Sequence, residues 1–173
     1  MKVSKTTLPE VLLIELDVFP DDRGFFTERY NKKKFSDLGI NVDFVQDNHS
    51  KSTPGVLRGL HYQIDPEQGK LVSCMVGEIQ DVAVDIRKGS ATYLKYTSIT
   101  LSENDHRLLW IPAGFAHGFC VTSSKPAHVI YKTDNLYNPK GDRGIIWNDP
   151  KINIDWQVKN PILSDKDREL PNL

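Results

Sequence analysis

EIQDVAVDIR, Glu78–Arg87, alternates aliphatic and carboxylate side chains with a period of two. Successive side chains of an extended strand point to opposite faces, so Val82, Val84 and Ile86 share one face while Asp81, Ala83 and Asp85 share the other. Carboxylates facing the same way as Ala83 indicate a partly polar interior. Outward from this stretch, short segments rich in Val, Ile, Tyr and Phe recur every eight to twelve residues: VLLIEL, FFTERY, VDFVQ, VLRGLHYQ, KLVSCMVG, TYLKYTSITL, LLWIP, HGFCVTS and HVIYKTD. Many short strands at that spacing predict an all-β sandwich or barrel. FPDDRG, STPG, NPKGDRG and NDPK supply the turn chemistry between them. NKKKFSDLG is the one stretch that reads as a helix, small and peripheral, with Asn31 as N-cap and Gly39 as stop. The last stretch, WQVKNPILSDKDRELPNL, is polar and interrupted by prolines, which predicts an extended tail.

A chain of 173 residues has the length of one domain, residues 1–173. At that length folding buries roughly 70% of the surface of the unfolded chain, enough for a substantial core. Hydrophobic residues make up 39% of the chain, and 22 basic side chains stand against 23 acidic ones. This is not a disordered composition, and the absence of a basic field argues against general nucleic-acid binding. The N-terminal MKVSKTTLPEVLLIEL breaks its apolar run with Pro9, Glu10 and Glu15, which predicts neither a signal peptide nor a membrane span and a cytoplasmic location. Cys74 and Cys120 have no CxxC spacing and read as reduced, buried thiols.

LRGLHYQ, Leu57–Gln63, places His61 in another strand, where it has three readings: packed core residue, metal ligand or base. GVLRGLHYQ and PAGFAH resemble the motifs of the cupin superfamily of small β-barrels, with Gly55, His61, Pro112, Gly114 and His117 at the matching positions. Metal-binding cupins use a His-x-His pair and a Glu to converge on one ion, and Gln63 here occupies the second position of that pair. That leaves His61 and His117 as donors, too few for a typical site. His49, His106 and His128 have no surroundings that single them out. Arg23, Arg58, Lys70 and Lys166 are suited to a diphosphate by charge-assisted hydrogen bonds, if the fold gathers them, and equally to a solvated surface. An imidazole, titrating ordinarily near about 6.5, is suited to removing a carbon-bound proton when a carboxylate orients it and a cation stabilises the enolate.

DDRGFFTERYN, FVQDNHSKS, VLRGLHYQ, GKLVSCMVGEIQDVAVDIRKGS, LWIPAGFAHGF, YKTDNLYNP and WNDPKINIDW together resemble the dTDP-4-dehydrorhamnose 3,5-epimerase family, in order, from about Val11 to Asp167. The resemblance implies a cupin-type jelly-roll β-sandwich, usually a homodimer, acting on a dTDP-sugar without metal or other cofactor. It implies conversion of dTDP-4-dehydro-6-deoxy-D-glucose to dTDP-4-dehydro-L-rhamnose, the 4-keto group acidifying the hydrogens on both neighbouring carbons. By the same resemblance His61 is the general base, Asp167 its dyad carboxylate, with Asp165 two residues away, Tyr131 the proton donor from the opposite face, and Lys70 the cation beside the keto oxygen. Arg23, Glu28, Gln46, Asn48, Arg58, His117 and Lys166 match substrate-contacting positions, and Phe26 and Tyr137 match aromatics that sandwich the thymine. Asp142 stands where many members carry a glutamate, one methylene longer, which implies a weaker or water-mediated contact. The alternatives are an epimerase that inverts one carbon or acts on another nucleotide-linked keto-sugar, a non-catalytic cupin that binds a nucleotide-sugar, and a metal-dependent oxygenase. The sequence leaves open which subunit's site Arg23 and Glu28 would serve.

Overall fold

The period-two pattern around Asp81 becomes one of thirteen strands in the computed structural model, which describes residues 1–173. In chain order they begin with β1 (Lys2–Lys5), β2 (Leu12–Glu15), β3 (Phe19–Asp21) and β4 (Gly24–Phe26), followed by helix α1 (Lys32–Asp37). Next come β5 (Gln46–Ser52), β6 (Leu57–Gln63), β7 (Lys70–Val76), β8 (Glu78–Asp85) and β9 (Tyr96–Ser102). The chain continues through β10 (Arg107–Ile111), β11 (Phe115–Val121), β12 (Ala127–Thr133) and β13 (Asp142–Gly144) to a single-turn helix, α2 (Asp165–Arg168). A six-stranded sheet in the order β1-β2-β10-β7-β12-β5 faces a five-stranded sheet in the order β13-β6-β11-β8-β9, and all ladders in both are antiparallel. This is a sandwich, one of the two all-β forms that the strand spacing predicts, and the jelly roll that the resemblance implies.

Alternation sorts the side chains into three packed layers. Val72, Cys74, Val129, Ile79, Ala83 and Phe119 meet between the sheets. Leu57, Leu60, Val82 and Val84 point the other way and are covered by Ile145, Ile152 and Trp156 of the C-terminal segment. On the outer face of the six-stranded sheet, Leu71, Leu108 and Trp110 pack on Phe35 of α1 and on Ile40. Truncating any of the fully buried leucines to alanine should cost about 2–5 kcal/mol, so each layer contributes substantially to stability. Asp81 and Asp85 face the interior with Ala83, as the pattern predicts, and both are fully buried. Asp85 is neutralised locally by Arg87, Ser90 and Thr92, whose hydrogen bonds outweigh its burial and hold its carboxyl well below the usual range.

Three local expectations are corrected. FFTERY yields a strand only through Phe26, and Val42–Val45 of the VDFVQ stretch carries none; the strand starts at Gln46 and runs through the polar QDNHSKS. The C-terminal segment is not wholly extended, because Ser164 accepts a hydrogen bond from the Asp167 N–H (3.1 Å) and nucleates α2. The peripheral helix forms as expected, Asn31 capping it through the Lys34 N–H (3.2 Å) and Gly39 following at φ +87°.

Candidate active site

Strand β6 is not regular. His117 of β11 lies opposite His61, and Phe119 lies opposite Arg58, so three steps on β6 are matched to two on β11. The extra residue is absorbed at Gly59, φ +122°, where a Cβ would stand 2.6 Å from the Gly118 Cα. The consequence is that Arg58 and His61, an odd number of residues apart, both face the sandwich interior, while Leu57 and Leu60 both face the C-terminal layer.

The inward side chains at this end of the sandwich are polar. They line a cavity of about 280 Å³, bounded by Ser50, Arg58, His61, Lys70, His117, Phe119, Tyr131, Ser164, Lys166 and Asp167. An adjoining cavity of about 210 Å³ shares His61, Lys70, Tyr131 and Lys166 with it and adds Tyr137, Asp142, Gln63 and Gln68 among its walls. His61 comes from the five-stranded sheet and Tyr131 from the six-stranded one, so the two stand on opposite walls.

His61 Nε2 lies 2.6 Å from Asp167 Oδ1, and the Ser164 hydroxyl donates to Asp167 Oδ2 at 2.9 Å. Asp167 is buried, which alone would raise its pKa, but the hydrogen bond and charge of His61, then the Ser164 hydroxyl, hold the carboxyl below its ordinary range. An ionised carboxylate only accepts, so Nε2 carries a proton, and in the neutral imidazole Nδ1 keeps the lone pair. Burial pushes the Lys70 ammonium down to about 8, against the opposing pull of Asp142 and Asp81. That ammonium also donates to the His61 carbonyl at 3.4 Å. Burial raises the Tyr131 phenol while nearby Arg58 opposes it, so the hydroxyl keeps its proton at neutral pH. A second imidazole–carboxylate pair lies deeper, His117 Nε2 being 2.7 Å from Asp81 Oδ1. The two imidazoles are thus committed to different carboxylates.

At the mouth, Asp142 is paired directly with Lys166 and accepts from the Tyr137 hydroxyl at 3.1 Å. Burial works against the charge on Asp142, but these hydrogen bonds win and keep its carboxyl below the usual range. The shorter side chain therefore makes firm contacts within the chain. Gln46 and Asn48 lie on the inward row of β5 beside Ser50, joined by a bond of 2.9 Å, with Asn48 opposite Tyr131.

Three expected site residues are not brought to this cavity by their own chain. Arg23 is exposed and paired with Asp21 within the β3–β4 hairpin, Phe26 is 69% exposed beside Phe19, and Glu28 pairs with Lys34. Phe25 packs against His106 (4.6 Å between centroids), and the hairpin lies beside Cys74 and Met75, at the end of β7 opposite Lys70. Five residues of strand put roughly 17 Å between Lys70 and Met75. His49 and His128 bond to each other at 3.0 Å away from the cavity. Sequence reading missed Ser50, Phe119, Asp81 as the partner of His117, and Ser164. Ser164 had a signal, since Ser-x-x-Asp before a short polar run is a capping pattern.

The sequence profile of the dTDP-4-dehydrorhamnose 3,5-epimerase family matches residues 5–173. A relative from Shigella flexneri bearing that name is 59% identical, over 96% of this chain and 93% of its own length. A Legionella pneumophila epimerase crystallised with dTDP-4-keto-L-rhamnose superimposes with a TM-score of 0.96 at 44% identity, over 99% of this chain and 92% of that one. A Bacillus anthracis dTDP-4-dehydrorhamnose 3,5-epimerase with TDP and pyrophosphate bound gives 0.96 at 49% identity, over 99% of both chains.

Proposed function

The chain belongs to the dTDP-4-dehydrorhamnose 3,5-epimerase family, and we propose that it inverts carbons 3 and 5 of dTDP-4-dehydro-6-deoxy-D-glucose, with His61 as base and Tyr131 as acid. The observation that carries the reading is an oriented imidazole and a protonated phenol on opposite walls of one cavity, with the Lys70 ammonium lining the same cavity. Inversion requires that a proton leave one face of the carbon and arrive on the other.

His61 Nδ1 takes the proton on carbon 3 or 5, and the electron pair of that C–H bond moves into an enolate whose charge lies on oxygen 4. Lys70 stabilises that oxygen, and Asp167 stabilises the imidazolium. The Tyr131 hydroxyl then protonates the carbon from the far side, and exchange with solvent restores both residues. The steps are proton transfers throughout and require no cofactor. Arg58, His117 and Lys166 supply the diphosphate with donors, and Tyr137 stacks on the thymine at the mouth, with Gln46, Asn48 and Asp142 around it.

Residues 1–173 work as one epimerase domain in a cytoplasmic homodimer. The hairpin bearing Arg23 and Phe26, with Glu28 just beyond it, presents exposed aromatics away from its own cavity, which suits it to complete the site of the partner.

The test is incubation with dTDP-4-dehydro-6-deoxy-D-glucose in deuterated water, followed by NMR, with His61→Ala as control. Deuterium enters at carbons 3 and 5 with formation of the L-rhamno product. Loss of the base lowers the rate by about 10²–10⁴-fold. Exchange at one carbon alone would reduce the protein to a monofunctional epimerase, and a His61→Ala variant of full activity would remove the base assignment.

A further inference from the structure

The turn that carries Tyr137 lies outside every strand and is held by side-chain amides. Three successive residues are each tied through a backbone group. The Leu136 carbonyl accepts from Gln63 Nε2 at 3.1 Å, the Tyr137 N–H donates to Gln46 Oε1 at 2.9 Å, and the Asn138 N–H donates to Gln63 Oε1 at 2.8 Å. The second hydrogen of Gln63 Nε2 goes to the Pro66 carbonyl at 2.8 Å, so its two donors and one acceptor lone pair are all spent on backbone. Gln63 is 6% exposed, whereas Tyr137 is 55% exposed. A buried amide in the sheet thus holds the backbone on both sides of an exposed aromatic, and Gln46 holds the Tyr137 N–H between them.

We propose that Gln63 is a positioning residue for nucleotide recognition, holding the Leu136–Asn138 turn so that the Tyr137 ring is in place before the thymine arrives. This rests on the reading of Tyr137 as the stacking residue. Gln63 lies two positions after His61 on β6, so one strand carries both the base and the clamp for the nucleotide. The clamp does not touch the reacting atoms. Ordering the turn in the free protein removes a cost that binding would otherwise bear, and that benefit applies equally to ground and transition states. Gln63 therefore acts on KM and leaves kcat alone.

The experiment is a double-mutant cycle with dTDP as the probe, measured by titration calorimetry, alongside steady-state kinetics on the dTDP-sugar. Gln63→Ala weakens dTDP binding and raises KM by about tenfold while kcat stays within about twofold. Tyr137→Ala weakens dTDP by a similar factor, and the double variant binds no more weakly than Tyr137→Ala alone. Independent losses that multiply in the double variant would overturn the clamp, as would a fall in kcat at constant KM. If Tyr137→Ala leaves dTDP binding intact, the stacking reading fails. If Tyr137→Ala weakens binding and Gln63→Ala does not, the clamp alone fails.

Gln63→Glu guards against a misfolded alanine variant. It keeps the acceptor for Asn138, removes both donors, and sets a carboxylate against the Pro66 and Leu136 carbonyls, so it shows the same rise in KM. In the wild-type protein the Tyr137 and Asn138 amides exchange with solvent at least about tenfold more slowly than in a free chain. Exchange at the free-chain rate would overturn the proposal without any variant.

Discussion

Lys70 is the residue whose electrostatics bear most directly on rate. Its ammonium loses its proton near pH 8 because burial penalises the charge more than Asp142 and Asp81 repay it. As pH rises through that value the ammonium becomes a neutral amine, and under the proposed mechanism stabilisation of the enolate is lost. The expected profile of kcat/KM therefore falls above about pH 8, approaching tenfold per pH unit, because kcat/KM reports the free enzyme. In Lys70→Arg the limb moves beyond the measurable range, since guanidinium stays charged. A wild-type profile flat to pH 10 would rule out Lys70 as the enolate's cation. The residues of the cavity were legible at this scale: His61, Lys70 and Tyr131 lie in stretches that resemble one family, and they line one cavity with Asp167. What alternation could not give is that Arg58 and His61 share a face. Strict period two places them on opposite sides, and only the extra residue at Gly59 brings both inward.

Among the elements, two that sequence reading missed serve the site. Strand β5, QDNHSKS, is polar on both faces: Gln46, Asn48 and Ser50 point toward the cavity, while Asp47, His49 and Lys51 point out. A pattern built on apolar periodicity has nothing to detect there. Helix α2 spans four residues, too few for any periodic signal, and it exists because Ser164 caps it. The same hydroxyl holds Asp167 Oδ2, so the cap couples local folding to the orientation of the dyad. Ser164→Ala should cost about 1 kcal/mol as a lost cap, lowering Tm by about 2–4 °C. It should also lower kcat about tenfold, since a hydrogen bond to a charged group is worth about 1.5–3 kcal/mol. Ser164→Thr restores the cap and most of the rate. If threonine fares no better than alanine in an assay of kcat and thermal unfolding, Ser164 acts by some route other than capping.

At the scale of the whole molecule, the sandwich accounts for its cavity but leaves the β3–β4 hairpin without a role inside its own chain. Strand spacing predicts a sandwich or barrel; it does not give which end each loop occupies, because that depends on strand order, and neighbours such as β10 and β7 are distant in sequence. The hairpin ends beside Met75 while Lys70 stands at the other end of β7. Phe25 at 60% and Phe26 at 69% exposure are apolar surface that a monomer would leave in water. A homodimer in which each hairpin reaches the other subunit's cavity would cover those rings and supply Arg23 and Glu28 to the nucleotide. Complementation tests this arrangement. Arg23→Ala and His61→Ala proteins, each nearly inactive by itself, are mixed, dissociated in mild denaturant and refolded together. If Arg23 serves the partner, a mixed dimer carries one site with both substitutions and one site with neither. Half of the dimers are mixed and each has one intact site, so the mixture should recover about a quarter of wild-type activity by random pairing. If Arg23 serves its own subunit, every site in the mixed dimer carries one substitution and no activity returns. A protein that sediments as a monomer at micromolar concentration would remove the premise altogether.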